Sequence, residues 1–99
     1  MEFLVEFEIE VPAGTPEDEV EQRTRAESIA AARLADEGSL LRIWKRAAVA
    51  DDPTVIGLYR ADSADELDGL LRALPLADWL KVAIIPLAPH PNDPDPGAR

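Results

Sequence analysis

The sequence has 99 residues, the size of one domain with no room for a second. Its 20 acidic and 10 basic side chains leave a net charge of −10, which sets it against nucleic acid and anionic membrane surfaces as partners. Apolar residues make up 46%, enough for a core, and the absence of cysteine excludes disulfides, thiolate metal sites and a cysteine nucleophile. Met1 and Glu2 lead into an alternating segment, with neither a basic leader nor a continuous apolar run, so a cytoplasmic protein without a membrane span is expected.

Residues 2–11 alternate, with Phe3, Val5, Phe7, Ile9 and Val11 on one face and Glu2, Leu4, Glu6, Glu8 and Glu10 on the other. Period 2 predicts a half-buried strand, closed by Pro12 and Gly14. Thr15, Pro16, Glu17 and Asp18 then read as an N-cap, a first-turn proline and acids suited to a helix N-terminus. That helix is predicted to run to about Glu37, where Gly38 stops it. Residues 40–49 predict a second strand, with Leu41, Ile43 and Trp44 among the cations Arg42, Lys45 and Arg46. Asp51-Asp52-Pro53 is a turn signal, and residues 54–61 predict a third strand.

Ser63-Ala64-Asp65-Glu66 has the spacing of a capping box. The helix it opens carries Leu67, Leu70, Leu71 and Leu74 at i, i+3, i+4 and i+7 and closes at Pro75. Residues 80–87 predict the fourth strand. Five of the nine prolines fall in residues 86–99, so the chain divides into a folded domain over 1–88 and a proline-rich arm over 89–99. The order β-α-β-β-α-β is the split βαβ plan of an α+β, ferredoxin-like domain, with two helices on one face of a four-stranded antiparallel sheet. No element remains to cover the other face, which carries Leu4 and Trp44, so a homo-oligomer built on a dimer is expected. Ile29, on the polar side of the first helix, is a candidate contact between dimers.

Glu27 stands out among the acids. At about 100° per residue the first helix aligns Val20, Thr24, Ala31, Leu34 and Ala35 on one stripe, with Glu27 near its middle. A carboxylate on an apolar face is costly unless it is paired or used, and burial raises its proton affinity toward that of a general base. The plainer reading is an ion pair with a strand cation, or a place at the wet end of the stripe. Arg42, Trp44 and Lys45 are candidate substrate-binding residues, a local positive spot able to hold a carboxylate. Alternation places Arg42, Trp44 and Arg46 on one side of the strand and Lys45 on the other. The plainer reading here is pairing with Glu6 and Glu8 of the first strand. His90 is the only histidine, and no second one exists to complete a metal site with it, so no metal is expected. Glycine-rich phosphate loops, nucleophile elbows and dinucleotide fingerprints are absent from the sequence.

Several of these residues also form a pattern: Ser63-x-Asp65-Glu66-Leu67-Asp68-x-Leu70-Leu71-x-x-Leu74-Pro75-Leu76, then Pro86-Leu87-Ala88-x-His90-Pro91. Met1-x-Phe3, Ala26-Glu27 and Gly38 leading to Ile43-Trp44-Lys45 belong to it. Over roughly residues 1–91 the chain resembles the muconolactone Δ-isomerases. The resemblance implies a ferredoxin-like subunit that pairs into a dimeric α/β barrel and assembles further, decamers being typical. It implies a cofactor-independent isomerase of aromatic catabolism, on the 3-oxoadipate route, that shifts a proton and a double bond in a small carboxylated lactone. Glu27 matches the family's helix glutamate and would remove the γ-proton, while Arg42 or Lys45 would hold the carboxylate. Lys45 stands where the family usually has arginine, Leu4 where it has histidine, and Thr24 near its lysine. Those departures motivate the alternatives, a non-catalytic ligand-binding or assembly barrel, or a related cyclase or oxygenase of secondary metabolism. The resemblance also implies that residues 88–92 dock on a neighbouring subunit near its pocket, with 93–99 loosely held.

Overall fold

The computed structural model describes residues 1–46 and 52–95. The expected end of the second strand at 47–49, Asp51 of the turn and residues 96–99 of the arm lie outside the described residues. The elements follow the predicted order: β1 (Glu2–Ile9), α1 (Glu17–Asp36), β2 (Leu40–Lys45), β3 (Thr54–Arg60), α2 (Ala64–Arg72) and β4 (Leu80–Leu87). A single 3-10 turn, Ala77–Trp79, precedes β4. The strands form one antiparallel sheet in the order β2-β3-β1-β4, which makes the α+β, ferredoxin-like arrangement.

The alternation of β1 decides which side of the sheet is dry. β1 is central, so Phe3 and Val5 are fully enclosed by strands on both sides and by helices above. Leu34 of α1, Leu67 and Leu71 of α2, and Leu74 just beyond it pack on them. Pro86 has no N–H to give a ladder, and it lies on β4, an edge strand, opposite Phe3. The other face carries Leu4, Leu58 and Ile85 in register, with Trp44 opposite Ile56, and no helix among the described residues covers it. Trp44 and Ile85 keep 39% and 46% of their surface exposed there. Ile29 is also exposed, on the outer side of α1.

Three local expectations are corrected. Thr15 does not cap α1; its hydroxyl donates back to the Pro12 carbonyl at 2.6 Å, and Pro16 occupies the cap position without a side-chain bond. Val11 lies beyond β1 and is exposed, because Glu10 N–H, bonded to the Trp79 carbonyl, makes the last backbone bond before Pro12. α2 ends at Arg72, short of Pro75. Elsewhere the caps are as expected: Gly38, at φ 81°, turns the chain out of α1, and the Ser63 hydroxyl accepts from Glu66 N–H at 3.1 Å. No helix among the described residues is long and apolar enough to cross a membrane.

Candidate active site

Glu27 reaches the interior because α1 lies along the sheet with Leu34 buried and Ala30 and Ala31 packed against the core. Thr24 and Ala35, expected on the buried stripe, are exposed. Glu27, Ala31 and Leu34 of that stripe do face inward, joined by Ala30 and by the half-buried Arg23. The Arg23 guanidinium lies 4.5 Å from the Trp79 ring centroid and 3.9 Å from the Asp78 carboxylate. The sequence reading missed Arg23; its place one turn before Glu27 was the available sign.

Pro75 determines what Glu27 touches. The chain cannot continue α2 through the Leu74-Pro75-Leu76 segment, which leaves the buried Leu76 N–H without a helical acceptor. Glu27 Oε2 supplies one at 3.0 Å. Burial raises the Glu27 pKa above its ordinary 4.5, and the Leu76 N–H only partly offsets this. Its second oxygen, Oε1, has no hydrogen bond among the described residues.

Beside Glu27 lies a cavity of about 140 Å³. It is smaller than the roughly 300–1,000 Å³ of drug-sized sites, so it suits a ligand of low mass. Phe7, Ile43, Leu74, Leu76 and Leu80 contribute apolar walls, and the polar lining side chains are Glu27 and Tyr59. Tyr59, also missed by the sequence reading, projects from β3 on the helix side, opposite Phe3. Its ring meets Phe7 edge-on, with centroids 6.0 Å apart, and lies across Gly57. A Cβ at position 57 would stand 2.6 Å from Tyr59 Cε1, so glycine there permits this lie of the ring. Tyr59 is 3% exposed, and its hydroxyl has no hydrogen bond among the described residues. Burial first, and then the charge of Glu27, push its pKa up to about 12.

The predicted cations divide between the two faces. Lys45 lies opposite Val55, on the helix side of the sheet that also holds Ile43 and the cavity. Arg42 and Trp44 lie opposite Leu58 and Ile56 on the open face, with the guanidinium 5.1 Å from the indole centroid. The sheet therefore separates them from Glu27. Nor do these cations pair with Glu6 and Glu8, because β3 stands between β1 and β2. Arg46 pairs instead with Asp52 at 3.5 Å. Leu4, between Leu58 and Ile85, and the exposed Thr24 are both outside the Glu27 cavity. His90 is exposed in the arm, its Nδ1 accepting from Asn92 N–H at 3.0 Å.

A half-buried carboxylate with one free oxygen, facing an apolar cavity with a single hydroxyl, can remove a proton from a weakly acidic carbon and return it. Comparison with known proteins bears on this chemistry. The family model described as muconolactone delta-isomerase matches residues 1–93. Muconolactone Delta-isomerase 1 of Acinetobacter lwoffii is 30% identical over 95 residues, covering 93% of each chain. The muconolactone Delta-isomerase of Acinetobacter baylyi is 26% identical over 92 residues, again covering 93% of each. A crystal structure of muconolactone isomerase superposes over the whole of both chains with a TM-score of 0.87 at 23% identity, which establishes the shared fold.

Proposed function

The chain belongs to the muconolactone delta-isomerase family and is an isomerase, and on that premise we propose that it transposes a double bond in a small carboxylated γ-lactone of the muconolactone type, within aromatic catabolism. The observation that carries the proposal is Glu27: half-buried, raised in pKa, anchored through Oε2 to Leu76 N–H, with Oε1 free of hydrogen bonds among the described residues, and lining a small apolar cavity.

In an α,β-unsaturated lactone the γ C–H is acidified by conjugation with the carbonyl. Glu27 takes that proton; the C–H electron pair becomes the β,γ double bond, the α,β pair becomes the bond from the α-carbon to the carbonyl carbon, and the carbonyl π pair moves onto oxygen, giving a dienolate. Return of the proton from Glu27 to the α-carbon restores the carbonyl and leaves the double bond at β,γ. No electron is gained or lost and no cofactor is required. The bond to Leu76 N–H keeps the carboxylate in one orientation for both transfers. Lys45 is the proposed partner of the substrate carboxylate, since it lies on the cavity's side of the sheet while Arg42 and Trp44 do not.

We further propose a homodimer closed through the open sheet face, with residues 88–92 docking on a neighbour, and a cytoplasmic setting, where a charged intermediate is retained because it crosses membranes poorly. Leu4 and Thr24, which suggested a non-catalytic barrel, stand away from the cavity and leave its base in place. An ultraviolet assay with muconolactone tests the reaction. Wild type is expected to turn it over and Glu27→Gln to lose about 10²–10⁴-fold in kcat. Equal turnover by both proteins removes Glu27 from the mechanism, and none by wild type moves the substrate elsewhere.

A further inference from the structure

Glu27 accounts for the proton but not for the negative charge that leaves with it. In a cavity walled by Phe7, Ile43, Leu74, Leu76 and Leu80, a dienolate oxygen without a donor would be a bare charge in an apolar medium. The same cavity holds a polar group that packing does not explain. Tyr59 is 3% exposed, and a phenylalanine would meet Phe7 and lie over Gly57 equally well. Its hydroxyl nevertheless has no hydrogen-bond partner among the described residues. No buried side-chain oxygen among the described residues lacks a partner, so this hydroxyl keeps some exposure, and Tyr59 lines the cavity beside Glu27, where a ligand can reach it. Gly57 adds a second observation, because the ring lies where any Cβ at that position would collide with it.

We propose that the Tyr59 hydroxyl is the oxyanion donor of this site, hydrogen-bonding the lactone carbonyl oxygen as charge moves onto it while Glu27 Oε1 holds the transferred proton. The assignment rests on the isomerase reading given above and adds a second catalytic residue to it. Tyr59 gives up no proton in the cycle: its O–H bond stays intact, and the hydrogen bond shortens as the dienolate forms and relaxes when the α-carbon is protonated. A phenol held at about 12 is suited to this, since it remains a donor over the whole working range of pH. The two groups thus divide the work, a base raised toward neutrality and a donor kept from ionising.

Two measurements test the assignment, one through turnover and one without it. With muconolactone as substrate, Tyr59→Phe is expected to lose about 10²–10³-fold in kcat, with KM within about threefold of wild type and an unchanged circular dichroism spectrum. The second uses tetronate, a planar lactone oxyanion resembling the dienolate. It is titrated by calorimetry into Glu27→Gln, whose neutral amide stands in for the protonated base, and into the double variant Glu27→Gln/Tyr59→Phe. Loss of the hydroxyl is expected to weaken tetronate binding at least about tenfold. Equal tetronate affinity, or no binding by either protein, overturns the assignment whatever the turnover result. Turnover by Tyr59→Phe within about threefold of wild type overturns it as well. If wild type leaves muconolactone unchanged while tetronate still discriminates, the substrate reading fails and the oxyanion donor stands.

Discussion

Glu27 and Tyr59 owe their placement to particular neighbours, one distant in sequence and one close. Glu27 is held by the N–H that Pro75 leaves free on Leu76, and Tyr59 by a glycine two residues earlier on its own strand. The electrostatic contact between them can be measured directly, because Tyr59 is the only tyrosine in the chain. Tyrosinate absorbance should titrate with a midpoint near 12 in the folded protein and near 10 after unfolding. Its sign for stability follows from linkage: between those values the folded state keeps a proton that the unfolded state has lost, so stability falls as pH rises from 10 toward 12. Glu27→Gln should move the folded midpoint down, since it removes the charge that opposes tyrosinate; an unmoved midpoint would mean that the two groups do not face each other. Glu27 was legible in the sequence because an acid on an apolar helical stripe breaks a pattern. Tyr59 was not, because tyrosine fits the alternation of a strand without disturbing it, and its place in the Glu27 cavity appears only in the folded chain.

Among the elements, those with strong periodicity were legible and those set by tertiary contacts were not. β1 and α2 follow their patterns because period 2 and the i, i+3, i+4, i+7 leucines each specify one buried face. Leu67 marks the centre of the α2 stripe and is fully enclosed, so Leu67→Ala should destabilise the domain by about 2–5 kcal/mol, read from denaturant midpoints at constant slope. A loss below about 1 kcal/mol would show that α2 does not anchor the core as its burial indicates. The turn Ala77–Trp79 had no such signature, since three residues show no period. It contains buried Trp79, whose ring meets the Arg23 guanidinium of α1, a contact between residues that helical spacing alone does not bring together. The division of Arg42, Trp44 and Lys45 was legible from alternation, but the side belonging to Glu27 required the pairing of β2 with β3.

At the scale of the whole molecule the question is where a chain of net charge −10 can meet a copy of itself. Two such subunits repel over most of their surface. The open sheet face differs: the register places Glu2, Glu6 and Glu8 there together with Arg42, Arg60 and Lys81, three charges of each sign, with Glu2 opposite Arg60 and Glu8 opposite Lys81. Glu2 and Arg60 are already joined at 3.2 Å. Between them lie Leu4, Trp44, Ile56, Leu58 and Ile85, apolar groups that gain by leaving water. Among the described residues this face is therefore a place where burial would draw copies together with little opposition from the net charge. Ile85, at 46% exposure on edge strand β4, can be replaced with little disturbance of the subunit core. Light scattering at micromolar concentration should find the wild type as a dimer or a multiple of it and Ile85→Lys as a monomer, with the two subunits alike in circular dichroism. Added salt should tighten the wild-type assembly, because screening weakens repulsion between the two net charges more than it weakens the apolar contact. An Ile85→Lys protein that keeps the wild-type mass, or a wild type that dissociates as salt rises, would place the interface on another surface.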